Sequence, residues 1–200
     1  MYRKYSDGII EVITGPMYSG KSEELIKRIK ILQFANIKTL IVKQKFDTRF
    51  SHNEIVSRSG TKLNTIVASN VEEIKKVWNN TYKAIAIDEV QFFDKDIINY
   101  IDELASKGIR VIISGLDTDF ARKPFGIMPE LLAIADDVLK LKAVCFSCKN
   151  AGTHTFRITN DKDQKLLGDT ESYQARCRKC HLEGEEQKIQ MDNLKLNLSL

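Results

Sequence analysis

Three groups of residues in this chain have the types and spacing of chemical apparatus. The first, Gly15-Pro16-Met17-Tyr18-Ser19-Gly20-Lys21-Ser22, fits the phosphate-loop pattern G-x-x-x-x-G-K-[ST]. Such a loop wraps phosphates with backbone N–H groups at a helix N-terminus, where unpaired donors and the helix dipole both favour negative charge. Lys21 would reach the β- and γ-phosphates of a nucleoside triphosphate and Ser22 would ligate Mg²⁺. The second group is the adjacent pair Asp88-Glu89, which ends an apolar run. Asp88 would help Ser22 hold Mg²⁺. Glu89 has two readings that the dipeptide alone leaves open: a general base for an attacking hydroxyl, worth about 10²–10⁴ in rate, or a residue that polarises water, as in motor-type ATPases. On an extended strand end the two carboxylates would point to opposite sides. The third group is Cys145-x-x-Cys148 with Cys177-x-x-Cys180, which are all four cysteines of the chain. Four thiolates in two such pairs give closed tetrahedral ligation, a structural zinc site rather than a catalytic one.

The flanking sequence supplies the elements that would position these groups. Ile9-Ile10-Glu11-Val12-Ile13 reads as a buried strand, and Leu25, Ile26, Ile29 and Leu32 recur at helical spacing in a helix ending near Asn36. Strand, glycine loop and helix follow in the order the phosphate site needs. Thr39-Leu40-Ile41-Val42 is a second strand and Thr65-Ile66-Val67 a third. Between them, Lys43 to Lys62 lacks periodicity and reads as a long mobile excursion, where Arg49 or Arg58 could touch phosphate. Ser69-Asn70-Val71-Glu72 has the capping-box form and opens a short helix through Trp78. Ala84-Ile85-Ala86-Ile87 is the strand that delivers Asp88 and Glu89 to the sheet edge facing the phosphates. Asp94 would cap the next helix, with Ile97, Ile98, Ile101 and Leu104 buried and Gly108 ending it. Val111 to Ser114 is a further strand that empties into the long loop through Gly126; Pro129 starts a short helix, and Val138 to Leu141 is a last strand. Strands alternating with helices predict an α/β fold with a largely parallel sheet.

From Ala143 the texture becomes polar and glycine-bearing. The expected organisation is an α/β nucleotide-binding domain over residues 1–142, a zinc-bound domain over 143–190 and a polar tail over 191–200, partly disordered. Zinc would staple the base of the long stretch between Cys148 and Cys177 and contribute on the order of 10 kcal/mol to ordering it. His154 and His181 read as polar surface before they read as further ligands. Phe92, Phe93, Phe120, Phe125 and Tyr173 could all be core, yet a flat apolar slot beside a general base suits a nucleobase.

A chain of 200 residues can bury about 70% of its unfolded surface. The formal charge of +4 is mild, with Lys and Arg interspersed among Asp and Glu, so no nucleic-acid footprint is indicated. No run approaches the length of a membrane span and the first residues lack the apolar centre of a signal peptide, so a soluble, cytoplasmic protein is expected.

The phosphate loop, Asp88-Glu89-Val90-Gln91-Phe92-Phe93, Leu116-Asp117 with Arg122-Lys123-Pro124-Phe125-Gly126, and Gly168 through Glu171-Ser172-Tyr173-Gln174-Ala175-Arg176-Cys177-Arg178-Lys179-Cys180 together resemble the cellular-type (type II) thymidine kinases, over roughly residues 8 to 181. The resemblance implies a P-loop (RecA-like) domain with a small zinc-ribbon domain, and ATP-dependent phosphorylation of thymidine, with deoxyuridine as an added substrate, at the 5′-hydroxyl. It implies Mg²⁺, structural Zn²⁺, a homotetramer, and dTTP as feedback inhibitor in nucleotide salvage for DNA synthesis. Residue by residue, Glu89 matches the family's general base. Gly15 through Ser22, Asp88 and Gln91 match positions that bind ATP and Mg²⁺. Met17, Phe92, Leu116, Phe120, Thr155, Leu166 and Tyr173 match positions lining the thymidine pocket. Between the cysteine pairs the family carries a lasso loop that closes on the nucleoside mainly through backbone groups. This chain departs at Phe50, where relatives often have Tyr after an Asp-x-Arg.

Overall fold

The computed structural model describes residues 8–45, 54–56, 62–161, 163–164 and 168–198. Strand β1 (Ile9–Thr14) is buried along its whole length and leads through the glycine loop into α1 (Lys21–Phe34), whose Leu25, Ile26, Ile29 and Leu32 are buried as the spacing predicts. Then come β2 (Thr39–Gln44), β3 (Glu54–Val56), β4 (Lys62–Asn64), β5 (Ile66–Ala68), α2 (Val71–Val77), β6 (Ala84–Asp88), α3 (Asp96–Ser106), β7 (Arg110–Gly115), α4 (Met128–Ile134) and β8 (Asp137–Lys140). Six of these strands form one sheet in the order β5-β2-β6-β7-β1-β8, and each neighbouring pair is parallel.

The inner strands β1, β2, β6 and β7 are buried on both faces, so they read as continuous apolar runs while their side chains still alternate. Ile85 and Ile87 of β6 and Val111 and Ile113 of β7 pack with the side of α2, α3 and α4. Ala84 and Ala86 of β6 and Ile112 of β7 pack with α1 on the other side. The two alanines are small where α1 crosses the middle of the sheet.

Several boundaries differ from expectation. Strand β2 runs on to Gln44, so Lys43, expected to open a loop, is buried and stands opposite Asp88 in the β2–β6 register. Within the expected excursion, Glu54–Val56 pairs antiparallel with Lys62–Asn64; Arg49, Phe50, His52 and Arg58 lie outside the described residues. The cap of α2 is shifted by one: Asn70 accepts from Glu73 N at 3.0 Å, while Glu73 Oε2 accepts from Ser69 N at 2.7 Å. Asn70 takes the cap from an extended backbone at φ −151° and ψ 172°, with its side-chain oxygen reaching the third amide on. Asp94 does not cap α3 through its side chain; the helix begins at Asp96, and the contribution of Asp94 is its carbonyl, which accepts from Ile97 N at 3.2 Å.

Beyond the sheet, β9 (Ala143–Val144) pairs antiparallel with β10 (Ala151–Gly152), and β11 (His154–Arg157) with β12 (Tyr173–Arg176). The chain then enters α5 (Arg178–Leu198), so the described residues beyond His181 are helical rather than an irregular tail. Among the described residues no helix is long and apolar enough to cross a membrane.

Candidate active site

The glycine loop has the close packing its residue types require. A Cβ on Gly15, whose φ is 139°, would fall 2.5 Å from the carbonyl oxygen of Leu141, so only glycine lets the loop pass under the end of β8. Lys21 Nζ donates to Pro16 O at 2.9 Å, which folds its side chain back over the loop. The Ser19 hydroxyl is buried with no hydrogen-bond partner among the described residues. A buried orphan donor inside a nest of N–H groups suits a phosphate oxygen.

At the C-terminal edge of β6, Asp88 is buried. Its Oδ2 accepts from Ser22 Oγ at 3.4 Å, and its Oδ1 accepts from Glu89 N at 3.0 Å and from the Ser114 hydroxyl. A serine hydroxyl and a carboxylate so arranged are a donor set that fits Mg²⁺. Glu89 does not continue the strand with its carboxylate on the opposite side. It turns out of β6 in the left-handed region, φ 55° and ψ 42°, and opens the single 3-10 turn Val90–Phe92. That conformation costs a non-glycine residue about 1–2 kcal/mol. Neighbouring bonds hold it: Gln91 Nε2 donates to Glu89 Oε2 at 2.5 Å, and Gln91 Oε1 accepts from Leu116 N at 3.2 Å. Gln91, matched to an ATP-binding position, is thus buried with its amide engaged between Glu89 and the loop after β7.

Hydrogen bonds among the described residues join the phosphate loop to the second unit. Met17 N donates to Thr155 Oγ1 at 3.0 Å, and Tyr18 OH donates to Tyr173 O at 3.2 Å. Phe120 lies under the guanidinium of Arg157, 3.7 Å from the ring centroid, and Arg157 Nη2 donates to Tyr173 OH at 2.8 Å. Phe92 packs edge-on against the buried Phe125, with centroids 5.6 Å apart, whereas Phe93 belongs to the core under α3. Of the residues matched to the thymidine pocket, Met17, Phe120, Thr155 and Tyr173 are linked by these contacts, Leu116 and Phe92 flank Gln91, and Leu166 lies outside the described residues.

The four cysteines are free thiols whose sulfurs all lie within 4.8 Å of one another. Sulfurs about 2.3 Å from a common zinc would be about 3.8 Å apart, and Cys148 Sγ to Cys177 Sγ is 3.7 Å. Burial pushes the Cys145 thiol up, but amides directed at its sulfur from Cys148 and Cys177 bring it down to about 6. Hydrogen bonding to Cys177, with burial, holds Cys180 up at about 12. A crowded set in which one thiolate forms at the expense of another is balanced by a dication, so the donor set fits zinc.

His154 and His181 are not surface residues. Both are buried, with ring centroids 5.9 Å apart. A ring nitrogen of His181, Nε2, is 2.8 Å from Phe120 O and ties α5 to the loop after β7. Burial lowers the affinity of His154 for a proton, and the charges of Arg178, His181 and Arg122 lower it further, to about 4. Arg122, whose charge contributes to that lowering, is itself in the left-handed region at φ 63°.

With the geometry assembled, the sequence matches the family described as "Thymidine kinase" over residues 8–181. This chain belongs to the thymidine kinase family. The thymidine kinase of Mesomycoplasma hyopneumoniae strain 7448 is 58% identical over 182 residues, 90% of this chain and 99% of that protein. That of Metamycoplasma arthritidis strain 158L3-1 is 49% identical over 191 residues, 95% of this chain and 98% of that protein. Among solved structures, the genome packaging NTPase B204 of Sulfolobus turreted icosahedral virus 2 with ATP-gammaS matches at TM-score 0.45 and 22% identity, covering 68% of this chain and 75% of that one.

Sequence reasoning missed Ser114 and Arg157. Ser114 was legible only as a strand residue, although it hydrogen-bonds Asp88 across the β6–β7 edge. Arg157 is fully buried; the one available signal was the alternation of His154-Thr155-Phe156-Arg157, which is too short to distinguish two buried faces from one.

Proposed function

We propose that the protein transfers the γ-phosphoryl group of ATP to the 5′-hydroxyl of thymidine, giving dTMP and ADP, and that deoxyuridine is a second substrate. The observation that carries this reading is the direct bonding of the phosphate loop to the second unit, Met17 to Thr155 and Tyr18 to Tyr173, beside the strand end that bears Glu89. A nucleoside held against Thr155, Tyr173, Phe120 and Leu116 has its hydroxyl at the phosphate loop, in a chain of the thymidine kinase family.

In the reaction the 5′-oxygen bonds to the γ-phosphorus as the bond to the β–γ bridging oxygen breaks. ADP leaves and the hydroxyl proton passes to the Glu89 carboxylate. Gln91 fixes that carboxylate before substrate arrives, so no reorganisation is needed during proton transfer. Loop amides, Lys21 and the Ser19 hydroxyl bind the phosphates. Mg²⁺, held by Ser22 and Asp88, supplies neutralising charge on the phosphates when bound. Zn²⁺ on Cys145, Cys148, Cys177 and Cys180 is structural and fixes the base of the loop between β11 and β12. A homotetramer and feedback inhibition by dTTP, on the family resemblance, and a cytoplasmic location and the absence of a nucleic-acid partner, on the character of the first residues and the mild interspersed charge, complete the reading.

Incubating the protein with Mg²⁺-ATP and thymidine, deoxyuridine, deoxycytidine, deoxyadenosine or deoxyguanosine tests it. The expected result is one nucleoside monophosphate per ADP with thymidine and deoxyuridine and little with the others. ADP without monophosphate, increasing when polynucleotide is added, would instead make the chain a polynucleotide-stimulated ATPase.

A further inference from the structure

The family match ends at residue 181, yet α5 continues to Leu198, and its added turns bond to the segment that leaves β11. Lys188 Nζ donates to the carbonyls of Arg157 and, at 3.5 Å, Thr159. Asn160 Nδ2 donates to the Asp192 carboxylate at 3.0 and 3.3 Å. The helix backbone reaches these partners because residue 184 is glycine: a Cβ there would fall 2.0 Å from Arg176 Nη1 and 2.8 Å from the Phe156 ring. Arg176 stacks on Phe156 at 3.6 Å, and Lys188 Nζ lies 4.3 Å from the same ring.

On the inner side of the same segment, the buried Arg157 guanidinium gathers the loop. Nη1 donates to Asp161 O at 3.0 Å and Asp163 O at 2.5 Å, and Nη2 to Gln164 O at 3.4 Å and Tyr173 OH at 2.8 Å. It also covers Phe120. The backbone that the helix grips from outside thus carries the side chain that orders the loop from inside.

We propose that the helix beyond residue 181 is a brace for the nucleoside loop, in which Lys188 and Asp192 are positioning residues. They hold residues 157–160 and so aim Arg157, which sets Phe120, Tyr173 and the loop carbonyls. The proposal rests on the reading that this loop receives the nucleoside. A loop that binds largely through its backbone loses affinity when it must be ordered at the moment of binding, while the phosphoryl chemistry on the sheet edge is untouched. The brace therefore acts on nucleoside affinity and not on turnover.

The test compares Lys188→Met, Asp192→Ala and the pair with the conservative Lys188→Arg and Asp192→Asn, measuring KM for thymidine and for ATP separately, kcat, zinc content and Tm. The pair should raise the thymidine KM about tenfold, the worth of one or two hydrogen bonds to charged groups. Turnover, ATP KM, zinc content and Tm should stay near wild type, and the conservative variants should restore most of the loss. An unchanged thymidine KM in the pair overturns the brace, as does an equal fall in turnover and in both affinities with a lowered Tm. If the wild type itself does not phosphorylate thymidine, the assigned reaction fails rather than the brace. Amide hydrogen exchange over residues 158–172 then decides: faster exchange in the pair upholds the brace and unchanged exchange overturns it.

Discussion

Glu89→Gln separates the chemistry of the site from its architecture, because the carboxylate does two things that glutamine can only partly reproduce. It accepts from Gln91 Nε2 at 2.5 Å, and a carboxamide oxygen can accept the same bond. The backbone bond from residue 89 N to Asp88 Oδ1 at 3.0 Å remains. The left-handed backbone at φ 55° costs glutamine what it costs glutamate. What is lost at the Gln91 contact is the charge assistance of that hydrogen bond, about 1 kcal/mol, or about 2–4 °C in Tm for a chain of this size. What is lost chemically is the proton acceptor, about 10²–10⁴ in turnover, equivalent to about 3–5 kcal/mol of barrier. Initial rates of dTMP formation, separate KM values for thymidine and ATP, and a melting curve give all of these quantities. The expected result is turnover at least about a hundredfold lower with both KM values and Tm close to wild type. Turnover within about fivefold of wild type at an unchanged Tm would remove Glu89 from proton transfer. A loss of activity matched by a collapse of Tm would reduce the residue to a structural one.

Two other perturbations test the frame around the site. Chelating the metal, or Cys148→Ser, should release one zinc per chain and abolish nucleoside phosphorylation while nucleotide binding at the phosphate loop survives; full activity without zinc would refute a structural role for the cysteine cluster. Tyr100→Phe should flatten the alkaline loss of stability. Burial, with the Glu103 charge, raises this phenol to about 12, so the folded protein keeps a proton that the unfolded chain releases near 10. Its stabilising share is complete below pH 10 and disappears as pH rises to 12. Because the hydroxyl is buried without a partner among the described residues, the variant should be no less stable at neutral pH; a Tm–pH curve parallel to wild type between pH 10 and 12 would show that Tyr100 does not titrate as argued.

The features legible in the sequence were those written locally. The phosphate loop, Asp88-Glu89 and the cysteine knuckles are contiguous patterns, and strands buried on both faces appear as unbroken apolar runs. Features made by distant residues were not legible. The α5 turns after His181 lack an apolar stripe; Gly184, Arg176 and Phe156 dock them through one close backbone approach and stacked rings. His154 and His181 looked like surface residues because nothing near them in sequence reveals the walls that bury them. The αL geometry of Glu89 was hidden because glutamate gives no local warning of it; the cause is Gln91 bridging to Leu116. The slip of the α2 cap from Ser69 to Asn70 is a competition between two adjacent capping residues that propensity alone does not resolve.

The strand order also governs how the protein is made. Strand β1 is the first to leave the ribosome, but its only sheet neighbours are β7 (Arg110–Gly115) and β8 (Asp137–Lys140). At ordinary synthesis rates it waits about ten seconds for β7 to be made. Throughout that interval its six residues, all buried in the finished sheet, have no partner strand. The glycine loop waits longer, because Gly15 is seated against the Leu141 carbonyl just past β8. The part of the nucleotide site translated first is therefore completed only after β8 has been made, and a chain released before residue 141 carries its phosphate-binding sequence without the wall that shapes it.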